Sequence, residues 1–233
     1  MNLLAIDTST DACSAALLRD DGSIIDRFEL APRRQAELIL PMVEAILAES
    51  GLALRELDGL AFGRGPGAFT GLRIAAGVVQ GIAYGAGLKA APVSSLAALA
   101  QQAFAVSRQP QVLAALDARM GQVYWGAYRV NEHGLMQLMG AECVADPALV
   151  ALPDSGEWLG VGSGFEAYAE PILSRTTGAT IDRLVGLHPR AREIALLGQQ
   201  VFLAGGEVEA ALALPVYLRD RVAEKPSRSA APN

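Results

Sequence analysis

Both halves of this chain begin with the same arrangement, and that repetition is the strongest constraint on its fold. A short apolar strand ends in Asp7 in the first half and in Asp117 in the second, and each is followed by a polar turn and another strand. Two related α/β lobes would produce this pattern. The length of 233 residues is enough for two domains of about 100 residues each.

The boundary between the lobes is predicted at Arg108-Gln109-Pro110, where a helical pattern ends at a proline. This gives one lobe over 1–108 and a second over 109–224. The remaining segment, 225–233, is rich in Pro, Ser and Ala, a composition that predicts a disordered tail.

The spacing of apolar residues predicts the elements of both lobes. Short continuous or alternating runs predict strands at 3–6, 12–18, 24–30, 59–63, 112–116, 122–130 and 135–142. Helical spacing predicts helices at 35–49, 70–84, 95–107, 166–173 and 190–203, with Ser94 or Ser95 able to cap the third.

Composition limits the classes of function. Apolar stretches are interrupted well before the roughly 20 residues that a bilayer span needs, and no basic leader precedes the first strand, so we expect a cytoplasmic protein with no membrane contact. A net charge of −6 makes the chain a poor candidate for holding a polyanion alone. Cys13 and Cys143 lie in apolar surroundings and are predicted to be small core residues.

The first predicted strand ends in Asp7-Thr8-Ser9-Thr10, a carboxylate followed by three hydroxyls. In a nucleotide-binding hairpin the hydroxyls and backbone N–H groups hold phosphate, and the aspartate holds Mg²⁺ through water. Asp117 could complete such a site from the second lobe. The alternative, which the local pattern favours, is a strand end closed by a side-chain turn.

Four glycines and a proline lie within Gly63–Gly71, directly before a predicted helix. The segment lacks the Gly-Lys-Ser/Thr ending of a P-loop. Its glycines allow either close packing inside the lobe or close approach of a partner. The helix after it is also lined with small residues, which leaves the same two interpretations open.

Histidines are few, and neither lies in a catalytic pattern. His133 and His188 fall in separate loops and are predicted to be surface residues. No His-Glu-x-x-His or Gly-x-Ser-x-Gly motif is present. The sequence therefore predicts no catalytic residue and no metal ligand.

Several segments together resemble the TsaB (YeaZ-type) family of the bacterial machinery for threonylcarbamoyladenosine in tRNA. They are Leu4–Thr10, Arg64–Arg73, Leu116–Tyr124 and Pro215–Arg219, spread over nearly the whole chain. The resemblance implies an actin/Hsp70/sugar-kinase-like α/β fold with two ribonuclease-H-like lobes. It also implies a non-catalytic scaffold that activates TsaD, the catalytic paralogue that modifies adenosine 37, in an assembly completed by the P-loop ATPase TsaE.

The same resemblance implies which residues serve the assembly. The catalytic relatives hold a metal with a His-x-x-x-His pair where this chain has Ser95 and Leu99, and often carry a histidine where it has Gln35. TsaB meets TsaD through the first two long helices, and alone it pairs with itself, whereas tRNA is reached only through the complex. The implied interface residues are Leu38, Ile39, Met42, Val43, Ile46, Arg73, Ile74, Gly77, Val78 and Gly81.

Two other functions remain open from the residues. One is an independent ATPase or small-molecule kinase of the same fold, and the other is a glycoprotease-like peptidase. The implied scaffold needs no cofactor of its own, although weak or interfacial binding of ATP or ADP with Mg²⁺ is compatible with the hydroxyl-rich hairpin.

Overall fold

The computed structural model describes residues 1–219, in which two five-stranded sheets are flanked by helices. The first sheet contains β1 (Leu3–Asp7), β2 (Ala12–Leu18), β3 (Ile24–Leu30), β4 (Gly59–Gly65) and β5 (Ala90–Ser94). The helices of this half are α1 (Gln35–Ser50), α2 (Phe69–Ala86) and α3 (Ser95–Ser107). The prediction of a disordered tail over 225–233 lies outside the described residues.

The second sheet contains β6 (Gln111–Arg119), β7 (Gln122–Val130), β8 (Met136–Ala145), β9 (Gly156–Val161) and β10 (Ala179–Leu184). Its helices are α4 (Ser163–Leu173) and α5 (Ala191–Leu203). No helix within residues 1–219 is long and apolar enough to cross a membrane.

The two sheets have the same topology. The strand order is β3-β2-β1-β4-β5 in the first and β8-β7-β6-β9-β10 in the second. In each, the opening strand pairs antiparallel with its successor and parallel with the fourth strand of its lobe. The repetition predicted from the sequence is therefore confirmed, as is the expected α/β class with two similarly built lobes.

The last helix of each half packs against the sheet of the other half. In α5, Ala191, Ile194 and Ala195 are buried in one core cluster with Leu3 and Ala5 of the first sheet. In α3, the apolar face lies among the buried residues of β6, β7 and β9. By packing, α5 therefore lies with the first sheet and α3 with the second, whereas the predicted bounds 1–108 and 109–224 follow the order of the chain.

Two further sequence predictions differ from the structure. Strands β5, β9 and β10 have no counterpart among the predicted elements, because they are short and contain Pro, Gly or charged residues that interrupt the pattern. Cys143, predicted to be a core residue, is exposed on β8, whereas Cys13 is buried as expected. The strand β8 is the edge of its sheet, so most of its side chains remain open to solvent.

Candidate functional site

The hydroxyl-rich hairpin after β1 is closed by hydrogen bonds within the chain. The Ser9 backbone N–H and the Ser9 hydroxyl both donate to Asp7 Oδ1, at 3.1 and 3.0 Å. Thr8 Oγ1 donates to the Gly71 carbonyl at 2.7 Å, and Thr10 Oγ1 accepts from the Ala12 N–H at 3.2 Å. The hairpin therefore has the side-chain turn that the sequence pattern favours.

The glycine-rich segment before α2 packs directly on this hairpin. A Cβ on Gly71 would lie 1.9 Å from the Thr8 carbonyl oxygen, and one on Gly67 would lie 2.3 Å from that of Ser9. The Ala68 N–H donates to the same Ser9 oxygen at 2.7 Å. Of the two interpretations left open for these glycines, close packing inside the lobe is the one observed.

Asp7 lies fully buried at the end of β1. A Cβ on Gly63 would lie 1.9 Å from Asp7 Oδ2, so the glycine provides the space for this carboxyl group. Burial raises the pKa of Asp7 to about 7, against hydrogen bonds from Ser9 that lower it. Among residues 1–219, Oδ2 has no hydrogen-bond partner. Such an acid loses its proton only near neutrality.

A cleft of about 830 Å³ between the two lobes contains some of the predicted nucleotide residues but not all. Ser9, Thr10 and Asp117 line it, whereas Asp7 and Thr8 are buried behind its surface. Asp117 accepts from the Arg119 N–H at 2.8 Å and pairs with the Arg119 guanidinium at 3.1 Å. Three of the five predicted nucleotide-binding residues thus line the same cleft.

These residues do not fit a phosphate group as folded. The Thr8 and Ser9 hydroxyls and the Ser9 N–H already donate within the chain, so of the three hydroxyls only that of Thr10, whose oxygen accepts from the Ala12 N–H, could still donate to a phosphate. Asp117 is engaged by an arginine, and Asp7 does not reach the cleft surface. No step is therefore assigned to a nucleotide in this hairpin.

The positions aligned with the relatives' metal ligands are part of the core. Ser95 and Leu99 are both 0% exposed, and the Ser95 hydroxyl finds no hydrogen-bond partner in the part of the chain that the structure describes. Within residues 1–219 no group of three or more His, Cys, Asp or Glu side chains could hold a metal ion. His133 is exposed as predicted, but His188 is half-buried and lines the cleft.

The predicted interface residues divide into two groups. On α1, Ile39, Val43 and Ile46 are buried against the first sheet, where they hold the helix to its own lobe. The others remain at least partly accessible: Leu38, Met42, Ile74 and Val78 are half-buried, and Arg73, Gly77 and Gly81 are exposed.

The open face of α2, formed by Arg73, Gly77, Gly81, Tyr84 and Gly85, is the most accessible part of this region. A Cβ on any of its three glycines would meet no atom within 4 Å. Tyr84 is 87% exposed, and the sequence prediction missed it although it lies one turn beyond Gly81. The prediction also missed Leu40, which is 48% exposed on α1.

A second, smaller groove of about 380 Å³ adjoins this face. Arg73 and Gln80 of α2 line one side, and Leu214 and Tyr217 line the other. In the sequence, Tyr217 stands out only as part of the Pro215–Arg219 motif, and no local pattern predicts its contact with α2. The hydrogen bond between Arg73 and Tyr217 joins residues 144 positions apart.

Comparison with known proteins gives consistent matches over almost the whole chain. The TsaB of Escherichia coli K12, a tRNA threonylcarbamoyladenosine biosynthesis protein, is 44% identical over 228 residues, which are 97% of each chain. The TsaB of Haemophilus influenzae is 40% identical over 235 residues, or 97% of this chain and 96% of that protein. The chain belongs to the TsaB (YeaZ) family. 

A solved structure and a family model agree with membership in the TsaB family. YeaZ from Pseudomonas aeruginosa has a TM-score of 0.86 and 45% identity, and the match covers 93% of this chain and 99% of that one. The family model described as TsaD, tRNA N6-adenosine threonylcarbamoyltransferase, matches residues 28–227. The TsaB and TsaD families are therefore related over both lobes.

Proposed function

We propose that this chain is a non-catalytic scaffold and activator subunit that binds TsaD for threonylcarbamoyladenosine modification of tRNA at adenosine 37. TsaE completes the assembly. Support comes from the TsaB relatives, which are named as biosynthesis proteins of this nucleoside, and from the TsaD family model that matches residues 28–227. The partner would then share the fold of this chain.

The observation that carries the proposal is the open face of α2. Its glycines leave the helix backbone accessible, and half-buried Ile74 and Val78 lie beside them. A partner helix can pack closely on such a surface because no side chain separates the two backbones. Exposed Tyr84 and Leu40 would add apolar area to the buried interface.

The geometry of the hairpin and of α3 supports a non-catalytic role. Two of the three hydroxyls that a nucleotide would need, those of Thr8 and Ser9, already donate within the chain. Leu99 has no donor atom, and Ser95 is buried in the core, so neither can replace an imidazole ligand. These observations weigh against an independent ATPase or kinase and against a metal-dependent peptidase.

The charge of the chain assigns tRNA binding to other subunits. A net charge of −6 and an isoelectric point near 5.0 oppose the Lys/Arg–phosphate contacts on which affinity for tRNA depends. Contact with tRNA is therefore proposed only through the complex, which would work in the cytoplasm.

The isolated chain is proposed to form a two-fold homodimer through the same face, since an open apolar surface can pair with itself. Light scattering on a size-exclusion column tests this with the chain alone and mixed with TsaD of the same organism. The expected result is a homodimer that converts to a heterodimer. A chain that stays unchanged on mixing, at all salt and nucleotide conditions, would contradict the proposal and would make ATP turnover the next assay.

The face itself is tested by adding bulk to α2. Gly77→Leu and Gly81→Leu should each abolish binding of TsaD, because the added side chain holds the partner helix away. Leucine has the higher helix propensity, so the free energy of unfolding should stay equal or rise by up to about 1 kcal/mol. Ala105→Leu, on the exposed side of α3, is the matched control and should bind normally. Normal binding by both glycine variants would exclude this face.

A further inference from the structure

The segment after α5 runs back across the first lobe before it reaches the second. The backbone of Val208 pairs with that of Ala90 in both directions, at 2.9 and 2.8 Å. Gln80 of α2 then donates to the Ala213 carbonyl at 3.2 Å, and the Val216 N–H donates to the Arg64 carbonyl at 2.8 Å. The segment is thus attached to β4, β5 and α2, all elements of the first lobe.

Tyr217 provides the strongest side-chain attachment to the first lobe. Arg73 Nε donates to the Tyr217 hydroxyl at 3.1 Å, and the Tyr217 ring lies 5.3 Å from that of Phe69. The Arg73 guanidinium lies 3.8 Å from the centre of the Phe69 ring. The tilted contact between the two rings and the cation–π contact of Arg73 with Phe69 therefore support the hydrogen bond to Tyr217.

Two residues later the chain contacts the second lobe. Arg219 Nη2 donates to the Arg119 carbonyl at 3.2 Å and to Gln122 Oε1 at 2.6 Å. The two acceptors flank the tight turn between β6 and β7, at which Arg119, Met120 and Gly121 all have positive φ. Arg119, Met120 and Tyr217 all line the cleft between the lobes, as does Arg219.

We propose that residues Pro215–Arg219 form a strap that ties the β6–β7 turn to the first lobe and sets the width of the cleft. Tyr217 and Arg219 are attached to opposite lobes and are separated by one residue, so the strap cannot lengthen much without breaking one contact. Hydrogen bonds from a charged donor are stronger than neutral ones, which makes Arg219 the decisive contact on the second lobe.

A separate contact keeps the lobes associated when the strap is released. Glu142 of β8 accepts hydrogen bonds from the Ser94 hydroxyl, at the end of β5, and from the Tyr128 hydroxyl of β7. The α3 and α5 helices also span the two halves. Loss of the strap should therefore widen the cleft rather than separate the lobes. The strap acts on the cleft whether or not the open face of α2 binds a partner.

The test measures the β6–β7 turn and the distance between the lobes in the full chain. Arg219→Ala should speed hydrogen exchange about tenfold at the Arg119 amide, which donates to Asp117, and at the Gln122 amide, which faces Arg119 across the turn, because a charged hydrogen bond to this turn is lost. It should also broaden the distance distribution between spin labels at Asp20→Cys and Glu132→Cys, two exposed turns of opposite lobes, in a Cys143→Ser background. Tyr217→Ala should reproduce both changes, since the two contacts act in series.

The matched control is Arg129→Ala. Arg129 Nη2 donates to Gln111 Oε1 at 2.9 Å, an arginine–glutamine contact of the same chemistry that lies wholly within the second lobe. This variant should leave both the turn and the distance distribution unchanged. The strap is overturned if Arg219→Ala matches the parent chain in both measurements, or if Tyr217→Ala leaves the turn as protected as in the parent.

Discussion

Glycines in this chain serve two opposite purposes, and single substitutions distinguish them. Gly63→Ala would place a methyl group 1.9 Å from Asp7 Oδ2 inside a buried strand, so it should lower the free energy of unfolding by about 1–3 kcal/mol. Gly77→Ala adds its methyl group to an open helix surface and should raise that free energy by about 0.5–1 kcal/mol. Urea unfolding of both variants checks this. Equal changes in unfolding free energy for the two variants would contradict the distinction between a buried and an open glycine.

Two buried acids predict an unusual dependence of stability on pH. Burial raises the pKa of Asp7 and of Glu193 to about 7 each. The folded chain therefore keeps protons that the unfolded chain releases near pH 4. The contribution of these two acids to the free energy of unfolding is fully present below pH 4 and is lost as the pH rises to about 7. Each acid contributes on the order of 3 kcal/mol to this loss.

Asp7→Asn tests the effect because the amide oxygen can still accept the hydrogen bonds from Ser9. The difference in unfolding free energy between variant and parent should shift in favour of the variant as the pH rises from 4 to 7. Glu193→Gln should show the same direction. A pH-independent difference for both variants would show that neither acid titrates in this range.

The hydroxyls of Thr8 and Ser9 illustrate what a local pattern leaves open. The sequence allows them to hold either phosphate or their own backbone. Their partners in the structure are an aspartate two residues away and a carbonyl 63 residues away. Only the second contact needed the tertiary structure, and together the two contacts occupy the Thr8 and Ser9 hydroxyls as donors.

At the scale of the element, α3 depends on one of its two adjacent serines. Ser94 Oγ accepts from the Leu96 and Ala97 N–H groups and donates to Glu142, whereas the buried Ser95 hydroxyl has no partner among the described residues. Ser94→Ala should cost about 1–2 kcal/mol of stability. Ser95→Ala should be neutral or stabilising, because it removes an unsatisfied polar group. The midpoint of denaturant unfolding measures both, and a larger loss for Ser95→Ala would contradict the assignment of the cap.

Helix α1 shows why a periodic pattern predicts a helix better than it predicts a surface. The spacing of its apolar residues gave a helix that ends one residue from the observed end. It did not separate Ile39, Val43 and Ile46, which face the sheet, from Leu38 and Met42 at the edge of that face. Which apolar residues are covered depends on the position of the sheet, and the helix sequence does not encode that position.

At the scale of the molecule, the exchanged helices join the two halves into one cooperative structure. Ile194 of α5 and Ile172 of α4 are both 0% exposed, but the first packs on the first sheet and the second on the second sheet. Each Ile→Ala variant should lose about 2–5 kcal/mol. Hydrogen exchange should show Ile194→Ala loosening β1 and β2, although the residue lies in the second half, and Ile172→Ala loosening β6. If both variants lost protection only in the second sheet, the packing of α5 on the first sheet would be contradicted.

The sequence by itself determined the repeated strand–turn–strand opening, the five helices α1 to α5 and the family, because these depend on local periodicity and on short motifs. The tertiary structure decided four further features: the open face of α2, the internal hydrogen bonds of the hairpin, the exchange of α3 and α5, and the strap from Tyr217 to Arg219. Each depends on contacts between segments far apart in the chain. Such contacts are set by how the two sheets pack, so no local pattern of residues records them.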